Sequence, residues 1–511
     1  MAENSKQAPG YRLSTQDATF IYGESQNGPL HIGSIGIFQG RIDFNGMLGH
    51  FEERIHLVPR YRQRLVEVPF NVAHAMMEDD PEFSFDNHVF RHELEDGLSE
   101  SDALAVMMEI YQTPLSRTHP LWELHSFENL EGERTALVWK VHHCLVDGVS
   151  GVELLKVMYD FRAEPEDIPP PARPWVAAQP SSIVRRFAEG IRNQIQTAVN
   201  STISAAVEMV EEPDKVAERA RTIGEATRQM TELMTRRIVA TPWNATPISQ
   251  ERRVAWSKQS FADFRAIRSA FGGSVNDVVL AMLTEGAARY LKHHGYAVEG
   301  QKLCIGCPVN VRHREERSAL GNRVSMMFPT APAEPMDIVE RLQLIHEETE
   351  RIKAAGSAQA LEAIMALSDL VPPGLIGPAA RIATTMLDAS GKLAEFAGWK
   401  PRADGFGLPA MGINFVATNV PGVQVPQYIN GHVCLDMVPL IPLAATMGYS
   451  VAILSYYRSL YFGMMAEPRV MPDVALMKVF VDDAFEELKR RCAARAEPTS
   501  ERGAGLESAS A

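Results

Sequence analysis

The sequence predicts an α/β protein of two lobes, each combining a mixed sheet with helices. The chain of 511 residues is long enough for two large domains. Short strand-like and helix-like runs alternate in both halves. A proline-dense segment, residues 163–182, separates the halves, because proline cannot continue a helix or a central strand. The predicted divisions are an N-terminal lobe (11–165), a Pro-rich linker and helical crossover (166–245), a C-terminal lobe (246–492) and disordered tails (1–10 and 497–511).

Periodicity of the apolar residues predicts the elements of each lobe. In the N-terminal lobe we expect strands at 31–40 and 134–145 and helices at 44–58 and 101–115. The C-terminal lobe opens at 248–267 and continues with a helix at 274–295 that has Ser274 as its cap. Its predicted strands are 302–311, 412–420 and 449–457, and a helix at 473–492 closes it.

The crossover contains a long helical region, residues 183–239. Its apolar positions recur at helical spacing, and Arg185, Arg186 and Arg192 flank that stripe. Packing on the protein itself is favoured, because the region continues into mixed charge. An amphipathic helix resting on a lipid surface is the alternative. The apolar positions of the stripe are Ile183, Phe187, Ile191, Ile195, Val199 and Ile203.

Composition excludes several classes of function. The formal net charge of −14 argues against nucleic acid, because phosphate binding needs a surplus of Lys and Arg on one face. No uninterrupted apolar stretch approaches the roughly 20 residues of a membrane span, and the polar N-terminus has no apolar signal core. We therefore expect a cytoplasmic enzyme, peripheral at most to an inner membrane or to lipid bodies.

Cysteine usage predicts neither a disulfide framework nor a metal site. The five cysteines are scattered and odd in number. The CxxC pair, Cys304 and Cys307, lies in a strand-like run and has no second pair to complete a ligand set. We expect this pair to belong to the core of a strand.

The segment "WKVHHCLVDGVSG" (139–151) carries the strongest functional signal. Alternation along the preceding strand puts Leu137, Trp139, Val141 and His143 on one face, and Ala136, Val138, Lys140 and His142 on the other. His143 ends the apolar face, whereas His142 belongs to the more polar face and is the more structural of the two. Asp147 and Gly148 are expected to turn the following loop, with Gly148 permitting positive φ.

A neutral imidazole can accept a proton from a hydroxyl while that hydroxyl attacks a carbonyl. The reference pKa of about 6.5 leaves most of such an imidazole neutral near pH 7. For the His-His pair alone, two histidines with satisfied hydrogen bonds beside a turn are the favoured explanation. A zinc site with Cys144 is the third option, but consecutive residues rarely converge on one ion. The full pattern with Asp-Gly favours catalysis.

The motif and its flanks resemble the bacterial wax ester synthase/diacylglycerol acyltransferase family. "HHCLVDG" fits the HHxxxDG motif of the chloramphenicol acetyltransferase-like and condensation-domain superfamily. Further blocks of the family follow in order, among them "RLSTQDATFIYGESQNGPLHIG" (12–33), "PLSRTHPLWEL" (114–124), "SVNDVVLAML" (274–283) and "NFVATNVPGVQVPQYINGHV" (414–433). Together they cover roughly residues 12–490.

The resemblance implies a channel between the lobes and direct transfer of a long-chain acyl group from acyl-CoA to diacylglycerol or a long-chain alcohol. It implies His143 as general base, His142 and Asp147 as supports and Gly148 as the turn residue. No acyl-enzyme and no cofactor beyond acyl-CoA are expected. Docking to a membrane or lipid droplet fits such acceptors. An acyltransferase using carrier-bound donors and a non-catalytic lipid-binding module are the alternatives.

Two further blocks contribute residues to the site that the resemblance implies. Asn276 and Asp277 match an Asn-Asp motif, with an oxyanion-stabilising role and a simple helix-capping role equally open. Pro120, Leu121 and Trp122 match a block expected to pack beneath the channel. The sequence departs from the family pattern at five positions: Ser116, Thr418, Val423, Tyr457 and Arg458. None of them touches the histidine motif.

Overall fold

The computed structural model describes residues 10–146, 148–196, 238–245, 247–310, 324–355 and 412–496, with a few isolated positions between them. The predicted tails therefore lie outside the described residues, apart from Gly10, as does most of the predicted helical region 183–239.

Helices begin where short polar side chains cap them. Ser14, Asp43, Ser99, Ser274 and Asp337 each accept a hydrogen bond from a backbone N–H of the first turn that would otherwise have no intrahelical partner. The helices are α1 (Thr15–Gly23), α2 (Phe44–Arg54), α3 (Glu100–Tyr111), α4 (Gly148–Met158), α5 (Phe261–Phe271), α6 (Val275–His293), α7 (Ile338–Ala354) and α8 (Val474–Ala496). A further helical segment covers residues 183–196.

The strands form three sheets. Their bounds are β1 (Tyr11–Arg12), β2 (His31–Gln39), β3 (Gln63–Val66), β4 (Met76–Asp79), β5 (Val89–Glu93), β6 (Trp122–Leu130), β7 (Arg134–His142), β8 (Arg253–Ser260), β9 (Lys302–Asn310), β10 (Val324–Met327), β11 (Thr330–Pro332), β12 (Phe415–Val420), β13 (Tyr428–Ile429), β14 (His432–Leu440), β15 (Tyr449–Tyr456) and β16 (Ser459–Ala466). The orders are β1-β4-β3, β13-β14-β2-β7-β6-β5 and β10-β9-β12-β15-β16-β8, with β11 paired to β9. Parallel and antiparallel pairs occur in both larger sheets, which confirms the mixed α/β class.

The elements predicted within the described residues are present, with shifted ends. The strand predicted at 31–40 is β2, and the helix predicted at 274–295 is α6 with Ser274 as its cap. The strand predicted at 134–145 ends at His142, because the chain turns at His143. Cys304 and Cys307 are buried free cysteines in β9, as the strand-core interpretation predicts.

One connection is not apparent from the sequence. Strand β14 comes from the C-terminal half of the chain but pairs antiparallel with β2 of the N-terminal half, in the register Val438 to Ile35. A core made of both halves lies beside this pair and includes Ile35, Ile37, Val438 and Leu440. The two halves are therefore joined through a shared sheet as well as through the linker.

The helical segment 183–196 packs on the protein over only part of its predicted stripe. The rings of Phe187 and Phe70 lie 6.2 Å apart, and Gly190 is buried against Val68 and Val72. Ile183, Ile191 and Ile195 are exposed. The predicted packing on the protein is therefore present at Phe187 and Gly190, whereas these three apolar positions of the stripe are exposed. Val199 and Ile203 lie outside the described residues.

Within the described part of the chain, no helix combines the length and the apolar character that crossing a membrane requires.

Candidate active site

Strand β7 brings the histidine motif to its position through two buried faces. Leu137, Trp139 and Val141 pack in one core, and Ala136 and Val138 pack in another, as the alternation predicts. The second face is polar only towards its end. There Lys140 is 1% exposed, and its ammonium donates to the carbonyls of Ile110 and Thr113 and to Glu123. A strand covered on both faces holds its C-terminal end firmly.

His142 is the last residue of β7 and is fully buried. The backbone N–H of Cys144 donates to its Nδ1 at 3.1 Å. Because Nδ1 accepts, the ring proton is on Nε2, which faces Oε1 of Glu24 at 3.4 Å. His142 thus links the turn after β7 to a carboxylate in the N-terminal part of the chain.

Glu24 is ionised and serves several donors. Burial alone would raise the pKa of its carboxyl, but hydrogen bonds from His142 and Arg117 and the positive charge of Arg117 lower it to about 2. Arg117 donates to Oε2 at 2.8 Å, and the backbone N–H of Leu30 donates to Oε1 at 3.1 Å. No local pattern marks Glu24 as a site residue, although it stands in the family block of residues 12–33.

His143 lies in the turn that follows β7 and is half-buried. Its backbone N–H donates to the carbonyl of Leu30 at 3.0 Å. Its ring stacks on Phe20 of α1, with 4.0 Å between the centroids and 4° between the planes. Its Nδ1 is shielded from solvent. Phe20 and Leu30 are functional neighbours that sequence reasoning missed, because both come from a distant part of the chain.

A cation on the other side of the turn holds the next residues. Arg60 donates to the carbonyl of Leu145 at 3.2 Å, and its guanidinium lies 4.4 Å from the ring centroid of Tyr11. Asp147 lies outside the described residues, so its predicted role stays a prediction. Gly148 is described as the first residue of α4, so the chain enters a helix directly after the turn.

Pro120, Leu121 and Trp122 are buried at the start of β6. The indole of Trp122 donates to the carbonyl of Tyr61 at 2.8 Å and stacks between Tyr61 and His88, with centroid distances of 4.9 and 4.4 Å. The expected apolar packing is therefore present. Whether these residues line a substrate channel stays a prediction.

The Asn-Asp pair opens helix α6, and Asp277 both caps it and ties it to α7. Ser274 and Asp277 form a reciprocal capping box. The Asp277 carboxylate also accepts from Thr349 at 2.8 Å and faces Nδ1 of His346 at 3.1 Å. The capping role that the sequence left open is thus confirmed, together with the fixing of a neighbouring element.

Asn276 lies beside another family block. The side-chain amide of Asn419, at the end of β12, approaches Oδ1 of Asn276 at 3.5 Å. If that contact occupies the oxygen, the Asn276 N–H₂ group is left to donate elsewhere.

All but one of the residues that depart from the family pattern lie in turns or loops. Tyr457 and Arg458 form the tip of the β15–β16 hairpin, with φ of 37° and 66° where glycine is the relaxed choice. Tyr457 donates its N–H to the carbonyl of Val423 at 3.0 Å. Ser116 is exposed and hydrogen-bonds Thr118 through the hydroxyls at 2.8 Å. Thr418 lies within β12.

The described residues show no candidate metal site. Among the residues that the structure describes, no group of three or more His, Cys, Asp or Glu side chains is placed to hold a metal ion. Cys144 is fully buried in the apolar core beside the motif.

Comparison with known proteins finds matches over most of the chain. The model of the wax ester synthase/diacylglycerol acyltransferase catalytic domain matches residues 13–279, and the model of the C-terminal domain of the same family matches residues 320–489. A probable diacyglycerol O-acyltransferase, tgs1 of Mycobacterium tuberculosis, is 28% identical over 479 residues, which cover 93% of this chain and 95% of the relative. O-acyltransferase WSD of Acinetobacter baylyi is 24% identical over 92% of this chain and 95% of its own.

Solved structures show the same fold. The wax ester synthase/diacylglycerol acyltransferase of Marinobacter aquaeolei VT8 superposes with a TM-score of 0.63 at 22% identity, covering 94% of this chain and 100% of the other. A starter condensation domain of rhizomide synthetase, solved in complex with C8-CoA and Leu-SNAC, gives a TM-score of 0.56 at 13% identity, with 96% of each chain covered. The two-lobed fold predicted from the sequence is therefore confirmed.

Proposed function

Because this chain belongs to the wax ester synthase/diacylglycerol acyltransferase family and is therefore an acyltransferase, we propose that it transfers a long-chain acyl group from acyl-CoA to a lipid hydroxyl. The acceptor is diacylglycerol, giving triacylglycerol, or a long-chain alcohol, giving a wax ester. The observation that carries the proposal is the placement of His143. It follows a rigid buried strand, remains half-exposed and is held by a stacked ring and a backbone hydrogen bond.

His143 acts as the general base. Its Nδ1 is shielded, so Nε2 is the nitrogen that meets the acceptor hydroxyl. As Nε2 takes the hydroxyl proton, the acceptor oxygen attacks the thioester carbonyl carbon. The C–S bond then breaks, the thiolate of CoA leaves, and the proton on His143 passes to that sulfur. The products are the ester and free CoA, and His143 returns to its neutral form without an acyl-enzyme.

The surrounding residues position the base and the developing charge. His142 supports the turn through Cys144 and Glu24. Asp147 and Gly148 hold and shape the turn between His143 and α4. Asn276 donates its amide to the oxyanion of the tetrahedral intermediate, and Asp277 fixes the helix that presents Asn276. Pro120, Leu121 and Trp122 form the apolar base of the acyl channel. Acyl-CoA is the co-substrate, and the chemistry requires no further cofactor.

The direct test is release of thiol from palmitoyl-CoA by the purified protein, with dioleoylglycerol or hexadecanol as acceptor. We expect acceptor-dependent release that falls by at least a thousandfold in His143→Ala, with circular dichroism unchanged. His56→Ala, in the turn after α2, is the matched control and should retain full activity. The preferred acceptor distinguishes triacylglycerol from wax ester synthesis.

Two outcomes would contradict the proposal. Equal release by His143→Ala would remove His143 as the base. No release with either acceptor, followed by activity with an acyl group loaded on a carrier protein, would replace acyl-CoA as the donor. Inactivity with both donors, combined with lipid binding, would indicate a binding protein.

Peripheral contact with a lipid surface is part of the proposal. Phe70 is 85% exposed at the tip of a turn, with φ of 58°, and lies beside the helical segment 183–196. Val184 of that segment is 77% exposed. Arg186 and Arg192 are on the same segment, so cationic and apolar side chains are combined there despite the negative net charge.

The contact can be measured by sedimentation with vesicles of phosphatidylcholine and phosphatidylglycerol. We expect Phe70→Ser to lower the bound fraction several-fold, because an aromatic side chain that inserts into the lipid interface contributes much of the binding energy. Leu57→Ser, which also removes an exposed apolar side chain, is the control and should bind as the wild type does. Equal binding by both variants would locate the contact elsewhere.

A further inference from the structure

We infer that the loop between α1 and β2, residues 24–30, transmits the position of the C-terminal lobe to both motif histidines, with Arg252 as the positioning residue that anchors it. This inference rests on the proposed function, because it assigns a role within that same site. Arg252 itself lies far along the chain from the histidines. Its role follows from two sets of contacts at opposite ends of one short loop.

The first set holds the loop to the C-terminal lobe. Arg252 stands just before β8, is 6% exposed, and donates from its Nη2 to the carbonyl of Asn27 at 2.6 Å. Its Nη1 donates to the carbonyls of Ser249 and Glu251 at 2.6 and 2.8 Å. One planar guanidinium therefore bonds the loop and its own segment at once, a geometry that the ammonium of lysine cannot reproduce.

The second contact with that lobe is the close packing of Gly28. A Cβ on Gly28 would lie 3.3 Å from the carbonyl oxygen of Leu443 and 3.5 Å from Cα of Ala444, both just after β14. Within the loop, the backbone N–H of Ser25 donates to the carbonyl of Gly28, and the reverse bond is also made, each at 3.2 Å. The loop is therefore a compact turn that moves as one piece.

The other end of the loop holds the histidines. Glu24, at its start, faces Nε2 of His142 at 3.4 Å. Leu30, at its end, accepts the backbone N–H of His143 at 3.0 Å and donates its own N–H to Glu24 at 3.1 Å. A displacement of the loop by a few tenths of an ångström would therefore move both motif histidines, and misplacement on that scale is costly for catalysis.

The burial of Arg252 supports a specific role. Burial lowers the pKa of its guanidinium and the nearby Glu467 carboxylate partly offsets this, leaving the pKa at about 10. The side chain is thus a buried cation at neutral pH. Its three hydrogen-bond acceptors are backbone carbonyls, which fix orientation but do not neutralise charge. An apolar side chain would fill the same space at lower cost if packing were the only requirement.

The test compares Arg252→Lys with Arg253→Lys. The adjacent Arg253 is exposed and donates to the carbonyl of Pro472. Arg253→Lys therefore makes the same substitution at a side chain that does not hold the loop. We expect Arg252→Lys to lower kcat about tenfold, with KM for palmitoyl-CoA within twofold of the wild type. Arg253→Lys should change neither. Gln112→Ala removes the acceptor of the Arg252 backbone N–H and serves as a milder second variant if Arg252→Lys does not fold.

Coupling to the histidines is measured by combining Arg252→Lys with Glu24→Gln. If both act through the loop, the double variant should lose little more kcat than the worse single variant. Fully additive losses, or a loss in Arg252→Lys that tracks its melting temperature and disappears on cooling, would overturn the inference. A second readout does not need activity: the rate at which diethyl pyrocarbonate modifies His143, followed by peptide mass spectrometry.

That modification rate separates this inference from the proposed function. It should change in Arg252→Lys and stay constant in Arg253→Lys, whatever the substrate of the enzyme is. If the wild type releases no thiol from any acyl-CoA, the proposed function fails while the modification rate still decides the role of Arg252. An unchanged rate in Arg252→Lys would overturn the inference even in an active enzyme.

Discussion

At the scale of the residue, the site depends on a carboxylate and a ring that face the two histidines. Glu24 faces the buried His142, and Phe20 stacks on the half-exposed His143. Neither residue carries out a chemical step in the proposed mechanism. Both restrict the orientation of an imidazole, which is what a general base requires before its pKa matters.

The charge of the Glu24 carboxylate can be tested by comparing the stability of wild type and Glu24→Gln at different pH values. The pKa is about 2 in the folded protein and about 4.5 ordinarily, so the unfolded chain binds more protons between these values. The stabilisation is complete above pH 4.5 and is lost as the pH falls towards 2. The free energy of unfolding is measured by urea titration for wild type and variant at pH 3 and pH 5. The difference between the two proteins should be about 2 kcal/mol smaller at pH 3 than at pH 5. A difference independent of pH would mean that folding does not lower the pKa of Glu24.

Phe20→Leu should lower kcat about fivefold without changing KM, because the flat face that holds His143 is lost, at a cost of about 1 kcal/mol. Phe20→Tyr keeps the face and should keep most of the activity. Phe90→Leu is the control, since Phe90 stacks on His125, at 4.9 Å, and not on a motif histidine. Equal effects of Phe20→Leu and Phe90→Leu on thiol release would indicate general loss of packing.

At the scale of the element, helices that carry the site are held by close contacts that their own sequences do not show. Helix α6 presents Asn276 and packs against α8, and Gly286 lies at that contact. A Cβ on Gly286 would lie 2.4 Å from a methyl of Val481 and 3.0 Å from its backbone. The glycine is therefore required for the approach of the helices.

Gly286→Ala should lower the free energy of unfolding by about 2 kcal/mol, because backbone atoms cannot move aside as a side chain can. Gly49→Ala in α2 is the matched control. Nothing lies within 4 Å of its new Cβ, so the better helix propensity of alanine should raise stability by about 0.5–1 kcal/mol. Thermal or urea unfolding measures both. The same sign for both variants would contradict the assignment of Gly286 to a tight helix contact.

At the scale of the whole molecule, strand β14 joins the two lobes in one sheet. Its residues pair with β2 and enter a core shared by both halves. A channel between two lobes keeps its width only if the lobes hold a fixed relative position. The shared sheet and the Arg252 contact both contribute to that position.

Val438→Ala should therefore destabilise both lobes together. Val438 is fully buried in the shared core, and its truncation should cost about 2 kcal/mol. Hydrogen exchange followed by mass spectrometry should show faster exchange in peptides from β7 and from β15 alike. Faster exchange confined to one lobe, or two separate unfolding transitions, would show that the lobes fold independently.

The sequence by itself determined the local features of this protein. Apolar alternation located β7, a capping serine followed by apolar residues at helical spacing located α6, and the histidine motif with its flanks identified the family. Each of these depends on residues that are neighbours in the chain. The catalytic role of His143, the supporting roles of His142, Asp147, Gly148 and Asn276, and the substrate channel remain predictions.

Only the tertiary structure decided which distant residues meet. The pairing of β14 with β2, the approach of Glu24 to His142 and the contact of Arg252 with Asn27 all join separate parts of the chain. No periodicity records such contacts, because they depend on the order of strands in the sheets and on the packing of one lobe against the other. Lys140 shows the same limit, since its charge predicted a polar face and the fold buried it against carbonyls and Glu123.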